Sequence, residues 1–186
     1  MSAFTPHIVK LLAILTVVGQ CISVILIVAL LKDLLSPKAP SRLLRWVSRQ
    51  SLVLMLIVAL TATLGSLYFS EVAYWTPCRL CWFQRIFMYP QVLLLAVAIW
   101  HRDRGVARYL AILSAVGLLI AAFHYGEQVT AAIAPPTDLL VPCDETGVSC
   151  ASTPFFHFGY ITIPMMAFTA FLLNALGSLI VLRTKA

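Results

Sequence analysis

The chain has 186 residues, of which 61% are hydrophobic and only 11% are charged. A soluble domain of this length does not need so large a fraction of hydrophobic residues. Several apolar runs reach the roughly 20 residues that a helix needs to cross a bilayer. The net charge of +6 does not indicate nucleic-acid binding, because the basic residues gather at the ends of the apolar runs.

Five apolar runs predict a single all-α bundle with membrane spans at about residues 8–31, 51–72, 82–100, 106–125 and 160–182. Ten of the thirteen basic residues lie in the loops after the first and third spans and in the tail: Lys32, Lys38, Arg42, Arg45, Arg49, Arg102, Arg104, Arg108, Arg183 and Lys185. Under the positive-inside rule these segments are cytoplasmic, so the N-terminus lies outside and the C-terminus inside. The first run is longer than the apolar part of a signal peptide, and its basic residues follow it. Both features favour a retained span over a cleaved signal.

Two segments lie outside in this topology, at 73–81 and 126–159. The second is long for a connection within a compact bundle, and loops of that length are usually functional or disordered. It contains Cys143 and Cys150, and a short helix is predicted over 127–134. In an oxidising outer compartment such cysteines can persist as disulfides.

The first outer segment runs into Thr-Pro-Cys-Arg-Leu-Cys-Trp-Phe-Gln-Arg at 76–85. Thr76 suits the N-cap of a helix and Pro77 its first position. Cys78 and Cys81 then lie on one face of the first two turns, close enough to form a disulfide. The positive end of the helix dipole stabilises a thiolate there. We therefore expect an acidic, reactive redox pair.

Polar residues follow this pair into the membrane. Gln84 and Arg85 continue the face that carries Cys81, and an intramembrane arginine costs several kcal/mol unless it is paired or reaches the interface. Arg85 is therefore either functional or snorkelling, and its place one turn below Cys81 favours function. His124, at the outer end of the fourth span, is predicted to cap that span at the interface, with a proton relay as the alternative. Interhelical hydrogen bonds are expected from Gln20 and Asn174.

Five cysteines divide into a lone residue, a first pair (Cys78, Cys81) and a second pair (Cys143, Cys150). The lone Cys21 is predicted to be a packing residue in the first span. The two pairs are compatible with static disulfides, with a four-cysteine zinc site, or with a redox relay. The relay is favoured because a bridge between i and i+3 removes little chain entropy, and because nothing around the pairs supports zinc. Such a relay carries two electrons from a soluble dithiol to a lipid-soluble acceptor.

Residues 77–85, Pro-Cys-Arg-Leu-Cys-Trp-Phe-Gln-Arg, resemble the Pro-Cys-x-Leu-Cys-x-x-Gln-Arg signature of the bacterial disulfide-bond formation protein B (DsbB) family. The resemblance covers about residues 51–182, which form four spans with a cysteine pair in each outer loop. The first span is then an addition to the four-helix core of the family. The close spacing of the second pair, with the motifs that follow it, resembles the BdbC-type branch.

The resemblance implies a quinone-dependent thiol oxidase in the bacterial cytoplasmic (inner) membrane, with both redox loops on its outer face. A reduced, soluble, thioredoxin-fold DsbA-like partner would attack the oxidised second pair. The resulting dithiol would then reduce the Cys78–Cys81 disulfide. The first pair would pass the electrons to ubiquinone or menaquinone. Gln84 and Arg85 would bind that quinone, and no metal ion is expected.

Other functions stay open. The vitamin K epoxide reductase family performs related chemistry on a similar bundle, and a transmembrane reductant conduit would run the same pairs in the opposite direction. A non-enzymatic alternative is a membrane scaffold with a structural four-cysteine zinc site in its outer loops.

Overall fold

A computed structural model describes residues 4–35, 41–133 and 148–185. Within these ranges the chain forms five helices: α1 (Thr5–Leu35), α2 (Arg42–Leu67), α3 (Arg79–His101), α4 (Ala107–Ile133) and α5 (Ile163–Lys185). All five are long and apolar enough to cross a membrane. The prediction of an all-α polytopic bundle, with α1 preceding a four-helix core, is therefore confirmed.

Several helices extend beyond the predicted spans. α2 begins at Arg42 rather than near residue 51, because the Ser41 side chain caps it by accepting a hydrogen bond from the Leu44 amide at 3.3 Å. At its outer end α2 continues as a π-helical turn, Tyr68–Val72. α4 continues to Ile133, so the described part of the helix predicted over 127–134 is the end of α4 rather than a separate element.

α5 occupies the centre of the bundle. It packs against α4, α2 and α1, and α1 packs mainly on α5. The largest buried cluster joins α2, α3, α4 and α5 through side chains that include Met55, Leu95, Leu110 and Phe171. The four-helix core thus surrounds a continuous apolar interior, and α1 lies against its outside.

Polar side chains connect the helices both inside this apolar interior, at Gln91, and nearer its surface, at Gln20. Gln91 Oε1 accepts hydrogen bonds from Asn174 Nδ2 at 2.9 Å and from Ser114 Oγ at 3.1 Å. Gln20 Oε1 accepts from the Tyr160 hydroxyl at 2.7 Å, and its Nε2 donates to Thr169 at 3.4 Å. The interhelical hydrogen bonds expected from Gln20 and Asn174 are confirmed, and the partners are fixed by tertiary packing.

Several basic residues gather at the end of the bundle opposite to the first cysteine pair. There Arg104 donates to the Ser48 carbonyl at 2.7 Å and to the Ser48 hydroxyl, which also bonds Thr184 at 2.6 Å. Arg183 forms an ion pair with buried Asp33 at 3.2 Å. These contacts bring together the ends of α1, α2 and α5 and the start of α4.

Gly117 in α4 permits the closest approach of α4 to α5. A Cβ atom added to it would lie 2.2 Å from Cε1 of Phe171, which is fully buried. We expect Gly117→Ala to destabilise the protein by about 1–3 kcal/mol, because the packed Phe171 ring must shift to admit the added methyl group. Gly126→Ala on the same helix is the matched control, since nothing lies within 4 Å of its added Cβ. Thermal unfolding in detergent measures both; equal midpoints for Gly117→Ala and the wild type would contradict this packing.

Candidate redox site

The first pair lies where α3 begins. Cys78 is the N-cap, with extended backbone angles (φ −71°, ψ 172°), and the helix starts at Arg79. The prediction that Thr76 caps the helix is therefore wrong, although Cys81 still lies in the first turn. The two Sγ atoms are 3.3 Å apart, with Cys78 as the hydrogen-bond donor. A small movement suffices to join them, as a redox pair requires.

The two thiols of the pair are not equivalent. Hydrogen bonding to Cys81 and burial together raise the pKa of Cys78 to about 12, against a lowering influence from the hydrogen bond with His124. The expectation that the helix start makes both thiols acidic is therefore wrong for Cys78. Cys78 keeps its proton and shares it in a hydrogen bond, in which the sulfur of Cys81 is the acceptor.

This difference predicts an order of alkylation. In fully reduced protein at pH 8, iodoacetamide should modify Cys81 before Cys78, because a pKa of about 12 leaves only about one Cys78 thiolate in ten thousand. Cys81→Ala removes the acceptor of the Cys78 hydrogen bond and should speed alkylation of Cys78. Peptide mass spectrometry after timed quenching gives both rates. Faster labelling of Cys78 than of Cys81 in the wild type would be incompatible with this arrangement.

His124 lies inside the site, not at the interface. It is 1% exposed, and its Nδ1 accepts a hydrogen bond from Gln84 Nε2 at 3.0 Å. Nε2 is then the protonated nitrogen, and it lies 3.1 Å from the Cys150 carbonyl oxygen and 3.6 Å from Cys78 Sγ. The prediction that His124 caps its span at the interface is therefore wrong. Its ring connects α3, α4 and the outer loop.

Cys150 joins the first pair in one buried cluster. It is 3% exposed and packs with Cys78 and Leu80, with Cys81 alongside. The loop is held over the site by Gln128, whose Nε2 donates to the Ser152 carbonyl at 3.1 Å. Cys143 and the Asp144-Glu145 segment lie outside the described residues. One member of the second pair is thus placed next to the first pair.

Arg85 is buried and fixed from α2. It is 9% exposed. Its Nε donates a hydrogen bond to Ser66 Oγ and its Nη2 donates one to the Ser66 carbonyl, both at 2.9 Å. Its guanidinium carbon also lies 5.1 Å from the centre of the Trp82 ring. An arginine held across the bundle in this way is not snorkelling to the surface. Ser66, which the sequence did not single out, is the residue that fixes it.

These residues line one cavity of about 380 Å³, a size typical of small-molecule sites. Polar groups line one part of it: the first pair, Gln84, Arg85 and His124. The rest is bounded largely by aliphatic side chains of α1, α2 and α5. Such a cavity suits a ligand with a polar group at one end and an apolar remainder.

A metal ion is the other ligand to consider. The ligand atoms of Cys78, Cys81 and His124 all lie within 4.8 Å of one another. Both ring nitrogens of His124 already have partners, however, in Gln84 and the Cys150 carbonyl. A metal would have to displace one of those bonds, whereas disulfide formation between the two sulfurs displaces neither.

Comparison with known proteins links the chain to disulfide bond formation. The family model described as "Disulfide bond formation protein DsbB" matches residues 48–181. This region contains α3, α4 and the outer loops completely, and it leaves out α1. No solved structure matches the chain.

Curated relatives carry related names. The chain is 43% identical over 129 residues to "Probable disulfide formation protein C" of Halalkalibacterium halodurans, covering 69% of this chain and 90% of the relative. It is 44% identical over 117 residues to "Disulfide bond formation protein C" of Bacillus subtilis, covering 63% and 81%. "Probable disulfide formation protein" of Coxiella burnetii is 38% identical over 133 residues, covering 72% and 86%. These names agree with the resemblance to the BdbC-type branch.

Proposed function

This chain belongs to the disulfide bond formation protein DsbB family, and we propose that it is a protein dithiol:quinone oxidoreductase that reoxidises a soluble thioredoxin-fold, DsbA-like partner. Membership of the family implies thiol oxidation. One observation carries the finer proposal: the first pair and a buried arginine border one apolar cavity within a membrane bundle, and Cys150 packs beside that pair.

The electrons pass through two exchanges that balance. The partner's two thiols reduce the disulfide of the second pair, giving the partner's disulfide and the reduced thiols of Cys143 and Cys150. Cys143 is our choice for the sulfur that the partner attacks. The second pair then reduces the Cys78–Cys81 disulfide and is itself reoxidised. The packing of Cys150 beside Cys78 supports this second exchange, because a thiolate must reach the sulfur that it attacks.

The last step requires a two-electron acceptor in the membrane. A bound ubiquinone or menaquinone would take two electrons and two protons from the dithiol and leave as the quinol. The residues present fit such a ring: the cavity places cationic Arg85 and the amide of Gln84 near Cys81, and its other walls are apolar.

Three side chains of the site, Arg85, Gln84 and His124, would have different roles in this step. Arg85 stabilises negative charge that develops on a ring oxygen or on the Cys81 sulfur. Gln84 holds the Nδ1 side of His124 and can turn toward a ring carbonyl. His124, with its Nε2–H facing Cys78, is placed to move a proton when the pair changes its oxidation state. Hydrogen bonds on both sides of the imidazole fix its orientation for that role.

We propose an orientation with the redox site on the outer face of the bacterial cytoplasmic membrane. The end of the bundle that carries Arg104 and Arg183 is the basic one, and the positive-inside rule makes it cytoplasmic. The first pair lies at the other end of α3. A soluble partner outside the cell membrane can then reach the outer loop.

The experiment that tests this function combines purified protein, quinone and a reduced thioredoxin-fold partner, and follows quinone absorbance. Stoichiometric loss of oxidised quinone with formation of the partner's disulfide is the expected result. A reductant conduit would instead reduce the partner at the expense of a donor on the inner face. A zinc scaffold would bind stoichiometric metal and consume no quinone.

A further inference from the structure

The helix outside the family match forms a wall of the quinone cavity proposed above. Residues of α1 line it at Leu12, Leu15, Thr16, Val18, Gly19 and Ile22. From Leu12 to Ile22 this wall is about 15 Å long at the helical rise of 1.5 Å per residue. That is roughly half of a 30 Å hydrocarbon core. The cavity therefore extends from the thiols well into the membrane.

α1 meets α2 on either side of this stretch. On the outer side Gly65 admits Leu12, since a Cβ at Gly65 would lie 3.1 Å from Leu12 Cδ1. On the inner side Leu30 of α1 and Val47 of α2 belong to one buried cluster, which Leu176 and Ile180 of α5 also join. The gap between the two helices is therefore closed near Arg85 and near the cytoplasmic end.

Between these contacts the cavity is open. Leu15, Val18 and Ile22 of α1 and Ile57 of α2 line the cavity, yet they are 47%, 49%, 45% and 55% exposed. We name this opening, bounded by those four side chains, the α1–α2 portal. It faces the space that lipid chains occupy, at a depth below the first pair.

The portal exists because α1 is held by α5 rather than by α2. At Gly19 the backbone of α1 comes so close to α5 that an added Cβ would lie 3.0 Å from Thr169 and 3.1 Å from Leu173. The Tyr160 hydroxyl fixes the neighbouring Gln20 at 2.7 Å. These contacts keep α1 in place and leave its α2-facing side chains at Leu15, Val18 and Ile22 exposed.

We propose that the α1–α2 portal takes the isoprenoid tail of the membrane quinone while the ring lies at Cys81 and Arg85. This inference rests on the proposed function. A tail gains little binding free energy when it leaves lipid for an equally apolar wall. The portal therefore contributes space for the tail rather than affinity. It lets the ring enter a closed chamber while the tail stays in the bilayer.

A steric role predicts a selective loss of binding when the portal is filled. Val18→Phe and Ile57→Phe should raise the dissociation constant of a tailed quinone at least about tenfold, which corresponds to about 1.4 kcal/mol. The same ring without a tail should bind as in the wild type, because the chamber around Arg85 is unchanged. Val24→Phe is the matched control on α1, since Val24 is 61% exposed and does not line the cavity.

Binding is measured in nanodiscs by quenching of the native tryptophans, Trp75 and Trp82, which lie at the site. The probes are whichever of menaquinone and ubiquinone the wild type reduces, and the matching ring without its tail (menadione, or the dimethoxy-methyl-benzoquinone). A tailed quinone with a photoreactive diazirine gives a second readout. Its cross-links should map to α1 and α2 around the portal.

The outcomes separate the two proposals. Unchanged binding of the tailed quinone in both portal variants, equal weakening of both probes, or cross-links confined to other helices would overturn the portal alone. A wild type that binds neither probe would overturn the quinone function as well. Selective weakening in Val18→Phe and Ile57→Phe, with Val24→Phe normal, supports the portal.

Discussion

Serine in place of Cys81 should abolish quinone reduction and trap a disulfide between Cys78 and Cys150. Without Cys81 the first pair cannot close, and turnover should fall at least about a thousandfold, as when one member of a coupled catalytic set is removed. The Cys78 sulfur can still attack the second pair at Cys150, which packs beside it. That exchange forms the Cys78–Cys150 bond and releases Cys143 as a thiol. With Cys81 gone, only the reverse attack by Cys143 can break the bond, and alkylation of Cys143 before analysis prevents that attack.

Non-reducing peptide mass spectrometry identifies the trapped bond, and quinone absorbance gives the turnover. Cys21→Ser is the matched control, because Cys21 is an exposed cysteine of α1 and does not line the cavity. We expect it to retain full activity. Undiminished turnover in Cys81→Ser, or a trapped bond that omits Cys150, would show that the pairs do not exchange electrons in this order.

The five helices could be predicted from the sequence because a bilayer leaves the backbone few alternatives. Apolar runs of sufficient length must form helices there, whatever packs against them. The start of α3 was harder to predict. Thr76 and Pro77 are good local signals for a helix start, but Trp75 stacks on Phe69 at 5.2 Å and its amide donates to the Phe69 carbonyl at 2.9 Å. This tertiary contact accompanies a segment at 74–78 that forms no helix, and α3 begins only after Cys78.

The site was only partly accessible to the same reasoning. The cysteine motif, Gln84 and Arg85 stand out by their chemistry, since polar groups in an apolar run need a reason to be there. His124 carried a usable signal as well: Ser114, Gly117, Ala121 and His124 recur at helical spacing and form one buried face of α4. Read as a packed face, that pattern places His124 in the interior instead of at the interface.

Ser66 and the cavity had no comparable signal. A serine in a membrane helix ordinarily bonds to its own backbone, and the bond from Arg85 to Ser66 depends on how α2 packs on α3. The cavity likewise depends on the position of α1 against α5, which is set by close contact at Gly19. Neither feature follows from one helix taken alone, because each is a property of two or three helices together.

Alanine in place of Arg85 should raise the apparent KM for quinone about 10- to 100-fold. Hydrogen bonds to charged groups contribute about 1.5–3 kcal/mol each, and 1.4 kcal/mol is a factor of ten. The two hydrogen bonds that Arg85 donates to Ser66 hold the guanidinium in place before a ligand arrives, so its interaction with a ring oxygen costs little reorganisation. Loss of the side chain leaves no buried charge without a partner, so the protein should still fold. Arg85→Lys should lie between the two, because an ammonium group cannot reproduce the planar fork of donors.

Arg79→Ala is the matched control for this loss of charge. Arg79 lies on the same helix two residues from Cys81, is exposed, and has its guanidinium carbon 5.9 Å from the Phe83 ring centre; it does not line the cavity. Quinone absorbance, with the reduced partner held at saturation, gives the KM of each variant. If the effect came from the positive charge at the outer end of α3 in general, both alanine variants would show it equally. A normal quinone KM in Arg85→Ala together with weakened partner binding would assign Arg85 to the docking of the soluble protein. The buried contact with Ser66 argues against that role, because a guanidinium fixed inside the bundle and only 9% exposed offers almost no surface to a partner in water.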